Sequence, residues 1–204
     1  MCPKFKRYRN PSQLPQADLP EHAVKFREPG NFFELTVASL PFLIPVAALL
    51  YLCMRLKGVS PDEMGSLPGV VLATAAVVPH ELLHAVAFPK GSDISFWYYP
   101  EGLTFFVHST APLSKKRFIL MCLLPALVLG VLPLLLWLIV PADVKWLSRF
   151  LFTFAALGLL YGAGDYVNAF NAAVQMPGNA VTCLSGFHSY WYIPKTAGNK
   201  GTGG

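Results

Sequence analysis

Four long apolar segments dominate this sequence and limit what the chain can fold into. They cover about residues 35–56, 67–88, 118–140 and 150–174. Each has the length at which an α-helix crosses the hydrocarbon core of a bilayer, about 20 residues. The composition agrees, because 54% of the residues are hydrophobic and 13% are charged, against about 25% charged in soluble domains. We therefore predict an all-α polytopic membrane protein with about four transmembrane helices.

The apolar segments divide the chain into three predicted regions. Residues 1–31 are polar and rich in proline and basic side chains, which predicts a cytoplasmic arm on the membrane surface. Residues 32–176 form the predicted membrane domain. Within it, residues 92–110 contain two runs of β-branched and aromatic residues around Pro100-Glu101-Gly102, which predicts an interfacial β-hairpin between the second and third helices. Residues 177–204 are predicted to form a cytoplasmic segment with a flexible, glycine-rich tail.

The distribution of basic residues predicts the orientation of the helices. If the N-terminus is cytoplasmic, twelve of the 16 Lys and Arg residues lie on the cytoplasmic side and four lie in the outside loops. Cytoplasmic loops of membrane proteins are enriched in these residues. Both termini are therefore predicted to be cytoplasmic.

The composition argues against binding to nucleic acid and against a structural or metal-binding role of the cysteines. The net charge is +5, but the basic residues lie mostly at the ends of apolar segments, where they contact lipid head groups, so nucleic acid is not expected. The four cysteines have no paired spacing. They predict neither disulfides nor a metal bound by cysteine.

The second apolar segment contains the motif Pro79-His80-Glu81-Leu82-Leu83-His84. Residues four apart lie on one face of a helix, so His80 and His84 can bind one zinc ion while Glu81 projects beside them. Such a short motif also occurs by chance in soluble helices. Chance is disfavoured here because ionisable groups inside a membrane helix are costly unless they serve a function. Pro79 lacks an N–H, so it either kinks the helix just ahead of the ligands or has no role in the site.

A catalytic zinc site usually has three protein ligands, so one more is expected. The downstream candidates are Asp93, Glu101, His108, Asp143, Asp165 and His188. Asp165 is favoured because, besides Glu81, it is the only carboxylate within an apolar segment, and its predicted depth is similar to that of the motif. Gly162 and Gly164 would allow helix 150–174 to approach the motif helix closely. The alternative is a buried carboxylate that joins helices through hydrogen bonds.

Other polar residues have weaker predicted roles. Asn168 lies one turn after Asp165, and it is either a catalytic residue that orients a ligand or substrate carbonyl, or a hydrogen-bonding residue in helix packing. His108 and His188 are predicted at interfacial or loop positions. No role is predicted for His22.

The order of these motifs resembles a known family. The HELLH motif, the aromatic hairpin, the stretch Ala111–Phe118, Pro125 in the next helix, and Gly162-Ala163-Gly164-Asp165 are similar to features of the bacterial zincin peptidases first catalogued as a domain of unknown function. The resemblance covers about residues 19–194. That family is similar in plan to the site-2 intramembrane proteases, in which an HExxH helix and an aspartate of a later helix hold zinc within the bilayer.

The resemblance implies a set of site residues. His80, His84 and Asp165 would be the zinc ligands, and Glu81 would be the catalytic base. The sequence departs from the site-2 proteases around Asp165, where it has Gly-Asp-Tyr in place of their Asn-Pro and Leu-Asp-Gly context. This departure leaves the substrate class open.

These features together predict a zinc metalloprotease of the bacterial cytoplasmic (inner) membrane that cleaves peptides or membrane proteins near the cytoplasmic face. Glu81 would take a proton from a water activated by zinc, which attacks a peptide carbonyl. The substrate would add a strand to the edge of the hairpin. Two alternatives remain open: a catalytically inactive zinc-binding subunit that binds partners or assists assembly, and a transporter that uses the same three ligands, although no internal repeat supports transport.

Overall fold

A computed structural model describes residues 4–102, 104–141 and 143–195, and the chain is 56% helical. The helices in chain order are α1 (Phe32–Lys57), α2 (Leu67–Ala75), α3 (Val77–Val86), α4 (Lys115–Pro125), α5 (Leu132–Ile139), α6 (Lys145–Leu160) and α7 (Ala163–Gln175). A π-helix, Ala126–Val131, joins α4 to α5. The strands are β1 (Lys4–Arg7), β2 (Val24–Lys25), β3 (Ser95–Tyr99), β4 (Thr104–His108), β5 (Leu113–Ser114), β6 (Val181–Ser185) and β7 (His188–Tyr192).

Helix α1 has well-defined signals at both ends. The Asn31 side chain accepts a hydrogen bond from the Glu34 N–H at 2.9 Å, which satisfies one free donor of the first turn. The helix ends at Gly58, whose φ of 70° is left-handed and favours glycine. Lys57 at its last turn donates to the carbonyl of Trp137 and lies 4.2 Å from the centre of the Trp137 ring. This contact joins the end of α1 to α5.

Two helix pairs are bent. Helices α2 and α3 meet at Ala76 with a bend of 40°, and α6 and α7 meet at Tyr161 and Gly162 with a bend of 44°. Pro79 explains the first bend, because it has no N–H to donate to the carbonyl of Ala75. The predicted kink ahead of the ligands is therefore confirmed. At the second bend, Gly162 leaves room for the Tyr166 ring, which would lie 3.0 Å from a Cβ at that position.

The helix from α4 to α5 is continuous, but its middle is widened into the π-helix. Pro133 cannot donate to the carbonyl of Leu129 four residues earlier, which loosens the α-helical pattern there. Gly158 of α6 packs directly on this carbonyl, since a Cβ at Gly158 would lie 2.1 Å from the Leu129 oxygen. Helix α6 therefore approaches the π-helix backbone to backbone.

Two small sheets pack beside the helices. The first has the strand order β1-β3-β4, with β1 parallel to β3 and β4 antiparallel to β3, so β4 forms one edge. The second has the order β2-β7-β6-β5, and all of its pairs are antiparallel. The predicted hairpin between the second and third apolar segments is confirmed as β3 and β4.

The buried core forms two main clusters. One joins α3, α4, α7 and the second sheet through residues such as Phe88, Phe118, Cys122 and Ala172. The other joins α1, α5, α6 and the π-helix through residues such as Trp137, Phe152 and Ala155. The described cysteines Cys53, Cys122 and Cys183 are buried and free.

The structure extends and corrects the predicted architecture. Within the described part of the chain, two helices, 33–57 and 115–139, are long and apolar enough to cross a membrane, and there are up to four such spans if each bent pair counts as one. The all-α prediction is wrong in that it omits the second sheet and the strands of residues 1–31. Strand β1 is highly charged and β2 and β5 have two residues each, so local patterning is weak there. Residues 196–204 of the predicted flexible tail lie outside the described residues.

Candidate metal centre

Helix α3 places the three motif side chains on neighbouring faces. It begins at Val77, directly after the bend, and the His80 N–H donates to the Ala76 carbonyl at 2.9 Å. His80 and His84 are therefore one helical turn apart, and the centres of their rings lie 4.8 Å from each other. Ligand atoms of His80, Glu81 and His84 all lie within 4.8 Å of one another.

Asp165 reaches the same point from the first turn of α7. Its Oδ2 lies 3.1 Å from Nε2 of His80, and its Oδ1 lies 3.4 Å from Nε2 of His84. The three side chains are largely buried, with 14%, 9% and 16% of the side-chain surface exposed for His80, His84 and Asp165. The structure thus brings the predicted third ligand to both histidines.

These distances fit a tetrahedral zinc site. Ligand atoms about 2.1 Å from zinc at tetrahedral angles lie roughly 3.4 Å from each other. The two separations between Asp165 oxygens and histidine nitrogens, 3.1 and 3.4 Å, are close to that edge length. Two imidazoles and one carboxylate are also a donor set found at catalytic zinc. The residues present therefore suit a zinc ion.

A backbone carbonyl orients one of the histidines. Nδ1 of His84 donates to the carbonyl of Met121 at 2.9 Å. Because Nδ1 is engaged in this way, Nε2 is the nitrogen of His84 that is left to bind a metal, and it faces Asp165. Hydrogen bonds of this kind hold the ring of a metal-binding histidine in its binding orientation.

Glu81 is held by the hairpin. Its Oε2 accepts a hydrogen bond of 2.8 Å from the backbone N–H of Val107 in β4. Val107 pairs with Phe96 across the hairpin, and its N–H points away from β3, toward Glu81. One carboxylate oxygen is thus occupied by the sheet, whereas Asp165 directs an oxygen at each histidine. This difference favours Asp165 over Glu81 as the third ligand.

Helix α4 contacts the ends of both site helices through its basic first turn. The Arg117 guanidinium donates from Nε to the carbonyl of Ala87, the C-cap residue of α3. The Lys115 ammonium donates to the carbonyls of Ala173 and Met176 at the end of α7, both at 2.7 Å. Cations are favoured at helix C-termini, where carbonyls lack partners within the helix. These residues were predicted only as membrane anchors.

Asn168, predicted as catalytic, lies one turn after Asp165 on α7 but lines a separate groove. Its side chain is exposed and lines a groove of about 840 Å³ between the N-terminal arm and the β6–β7 hairpin, together with Glu28, Gly164 and His188. Among the described contacts, none joins Asn168 to the two histidines or to Asp165. The prediction of a catalytic role for Asn168 remains a prediction.

The remaining histidines occupy separate positions. His108 is buried at the end of β4, and its Nε2 donates to the Gly186 carbonyl at 2.9 Å. Burial lowers the pKa of His108 below its ordinary value, and this is partly offset by the hydrogen bond to Gly186. His188 is exposed, with Nδ1 3.1 Å from a Glu28 oxygen, and His22 lies 3.1 Å from the Ile193 carbonyl. Both residues predicted at interfacial or loop positions lie in strands, with His108 at the end of β4 and His188 at the start of β7.

Sequence reasoning missed the groups that hold the site in place. Two of them, the Val107 N–H and the Met121 carbonyl, belong to the backbone. Backbone groups are the same at every residue, so the amino-acid sequence carries no direct signal for them. The positive charges of Lys115 and Arg117 also predict contacts with helix C-termini, in addition to the contacts with lipid head groups expected of basic residues at the ends of apolar segments.

Comparison with known proteins gives one match. Residues 73–181 match the profile of a family described as "Putative zincin peptidase". This match covers more than half of the chain and includes the motif, the hairpin, α4 and Asp165. Neither the comparison with curated proteins nor the comparison with solved structures gives a match.

Proposed function

Because the chain belongs to this zincin peptidase family, we propose that it is a membrane-embedded zinc metalloprotease. The observation that carries the proposal is the position of Asp165, with one oxygen near each motif histidine at the separation expected of zinc ligands. In the proposal His80, His84 and Asp165 hold the metal, and Glu81 is the general base.

Glu81 has the surroundings that a proton-transfer group needs. When bound, zinc lowers the pKa of water and polarises a carbonyl group. Glu81 takes the proton of the attacking water and delivers it to the amine that leaves when the peptide bond breaks. The Val107 N–H holds one oxygen of Glu81 and leaves the other free for this transfer.

The edge of β4 offers a place for the substrate backbone. In the described sheet β4 has a partner only on the side of β3. The Val107 N–H of this edge is already bound to Glu81, and in the proposal an extended peptide adds as a further strand along the same edge. Because Val107 of this edge contacts Glu81, a peptide on β4 runs beside the proton-transfer group. Asn168 enters the proposal as a residue that contacts the substrate from the neighbouring groove.

The proposal that the protein lies in a membrane is supported by the apolar side chains that the helices expose. Large apolar side chains on the helices are exposed, including Leu56 (76%), Ile139 (77%) and Val86 (68%). Exposed apolar surface on this scale marks contact with lipid or with another protein. Each of the two bent pairs would then form one span, and the excess of basic residues on one side supports cytoplasmic termini in the bacterial inner membrane.

A single purification can test the proposal. Wild-type protein in detergent or liposomes is expected to contain one zinc ion per chain and to cleave fluorogenic peptides from an unbiased library. Glu81→Gln is expected to keep the zinc and to lower the cleavage rate by about 100- to 10,000-fold, the usual contribution of general acid–base catalysis. Glu63→Gln, at an exposed residue shortly before the start of α2, serves as the control and is expected to behave as wild type.

The outcomes separate the proposal from its alternative. Zinc without cleavage in the wild type would favour a catalytically inactive zinc-binding subunit. Cleavage that survives Glu81→Gln would remove Glu81 as the base.

A further inference from the structure

A cavity of about 300 Å³ adjoins the candidate metal centre. His80 and Glu81 line it, and the rest of its wall comes from α2, the start of α3, the π-helix and the end of α6. An apolar cavity of about 150 Å³ is large enough to bind benzene. This one is therefore large enough for a branched aliphatic or aromatic side chain.

Three irregularities in three different helices meet at this cavity. Ala76 marks the bend between α2 and α3, Leu129 belongs to the π-helix, and Tyr161 marks the bend between α6 and α7, and all three line the wall. Regular helices pack side by side with few voids. The bends and the π-helix thus make room at the level of the metal centre, which is where a substrate side chain needs space.

The chemistry of the wall indicates what fits. Most of the lining is alkyl or aromatic, including Ala73, Leu129 and Phe154, and the backbone of Gly158 completes it. The hydroxyl of Thr74 already donates to the Val70 carbonyl at 2.9 Å, so its proton is engaged within the helix. The ionisable groups of the metal centre in this wall are those of His80 and Glu81. A ligand suited to this shape has an apolar group in the cavity and a polar group at the metal centre.

We propose that the cavity binds a large apolar side chain of the substrate residue next to the bond that is cut. This inference rests on the proposed function for the identity of the ligand as a peptide. Contact with His80 and Glu81 places the side chain directly beside the reacting carbonyl. The preference would be for residues such as Leu and Phe over Gly and Ala at that position.

Binding of small inhibitors tests the cavity without any hydrolysis. N-acyl amino-acid hydroxamates of Gly, Ala, Leu and Phe bind zinc through one common group and differ only in the side chain. With purified zinc-containing protein, the Leu and Phe compounds are expected to bind at least about tenfold more tightly than the Gly compound, since each added methylene in an apolar pocket contributes about tenfold or more. Equal affinity across the series, or no binding at all, would overturn the inference.

Two neighbouring valines provide a matched pair of variants. Val77 lines the cavity and is 41% exposed, whereas Val78 is 43% exposed and does not line it. Val77→Phe is expected to reduce the preference for Leu and Phe compounds to less than about twofold by filling the cavity. Val78→Phe adds the same ring to the same helix and is expected to keep the full preference. If both variants behaved alike, the cavity would not be the binding site.

A second variant works in the opposite direction. Phe154→Ala enlarges the cavity from the α6 side, and it is expected to shift the preference toward a Trp hydroxamate. An unchanged order of affinities in Phe154→Ala would also count against the cavity.

Peptide cleavage then separates the two proposals. Side-chain preference among the hydroxamates without any peptide cleavage would keep the cavity and reject the protease. Cleavage of library peptides with no preference for any side chain next to the cut bond, together with equal hydroxamate affinities, would keep the protease and reject the cavity.

Discussion

Helices α3 and α7 meet at the metal centre from bent pairs that are built alike. Each is the second half of a pair that bends by 40° or 44°, and each has its C-terminal end held by a basic residue of α4. They differ in where their ligands lie. Helix α7 contributes one ligand, Asp165, from its first turn, whereas α3 contributes two, His80 from its first turn and His84 from its last turn.

This difference indicates how the bends affect the electrostatics of the metal centre. Carboxylates are favoured near helix N-termini and cations near C-termini, because the backbone dipoles point that way. The bend at Gly162 creates an N-terminus beside Asp165. The metal cation would lie beside the middle of α3, between His80 and His84. One unbroken helix in place of α6 and α7 would put Asp165 in mid-helix, without free backbone N–H groups nearby.

The strongest test of the comparison is whether both helices contribute equally to metal affinity. His80→Ala and Asp165→Ala each remove one donor at the same point, so each is expected to weaken zinc binding by more than about 100-fold. Competition titration with a chromophoric chelator measures the affinity. Asn171→Ala, at a residue of α7 outside the site, is the control. Retention of full zinc affinity in Asp165→Ala would show that α7 supplies no ligand.

The second test concerns a contact that α3 has and α7 lacks, the hydrogen bond from Val107 to Glu81. Val107→Pro removes the N–H, and an edge strand tolerates proline where its N–H points outward. A hydrogen bond to a charged group contributes about 1.5–3 kcal/mol, so the cleavage rate is expected to fall by about 10- to 100-fold with zinc retained. Val107→Ala shortens the same side chain but keeps the donor, and it is expected to stay within about threefold of wild type. Equal rates in the two variants would contradict a role for this N–H.

The sequence predicted the α3 half of the site better than its surroundings. The HELLH spacing is a direct consequence of helical periodicity, so His80, Glu81 and His84 could be assigned without any tertiary information. Asp165 could be placed near them only through an argument about depth in a membrane. The contact of 3.1 Å between His80 and Asp165 shows that the two positions are indeed adjacent.

Other features were beyond a local interpretation of the sequence. Gly164 was expected to permit close helix approach, but a Cβ there would have only Leu35 within 4 Å, at 3.8 Å. The crowded position is Gly158 of α6. It packs on the Leu129 carbonyl, to which Pro133 cannot donate a hydrogen bond, so this contact joins two separate helices.

The β6–β7 hairpin had a usable signal in its β-branched and aromatic runs around Gly186, whose φ of 59° is left-handed. That signal was not used.

The third test compares how closely the two bent pairs approach their neighbours. A Cβ at Gly158 in α6 would lie 2.1 Å from the Leu129 carbonyl, and one at Gly69 in α2 would lie 2.9 Å from the Phe150 carbonyl. Gly158→Ala is expected to destabilise the protein by about 1–3 kcal/mol, and Gly69→Ala by less, because overpacking forces the backbones apart. Gly164→Ala is the control, with no expected loss. Thermal unfolding in detergent gives the order, and a reversed order would contradict the described packing.

The smallest expected effects come from the two caps supplied by α4, and they address the comparison most directly. Arg117→Met removes the donor to the end of α3, and Lys115→Met removes the donors to the end of α7, each at a cost of about 1 kcal/mol. Lys116→Met is the matched control, since Lys116 is exposed and has no capping contact among the described residues.

Hydrogen exchange with mass spectrometry can assign each cap to its helix. Arg117→Met is expected to speed exchange in the last turn of α3, near residues 83–86, and Lys115→Met in the last turn of α7, near residues 172–175. Because each cation satisfies carbonyls of only one helix, the two effects should not overlap. If both variants loosened the same helix, or if Lys116→Met had the same effect, α4 would act through general packing rather than as two separate caps.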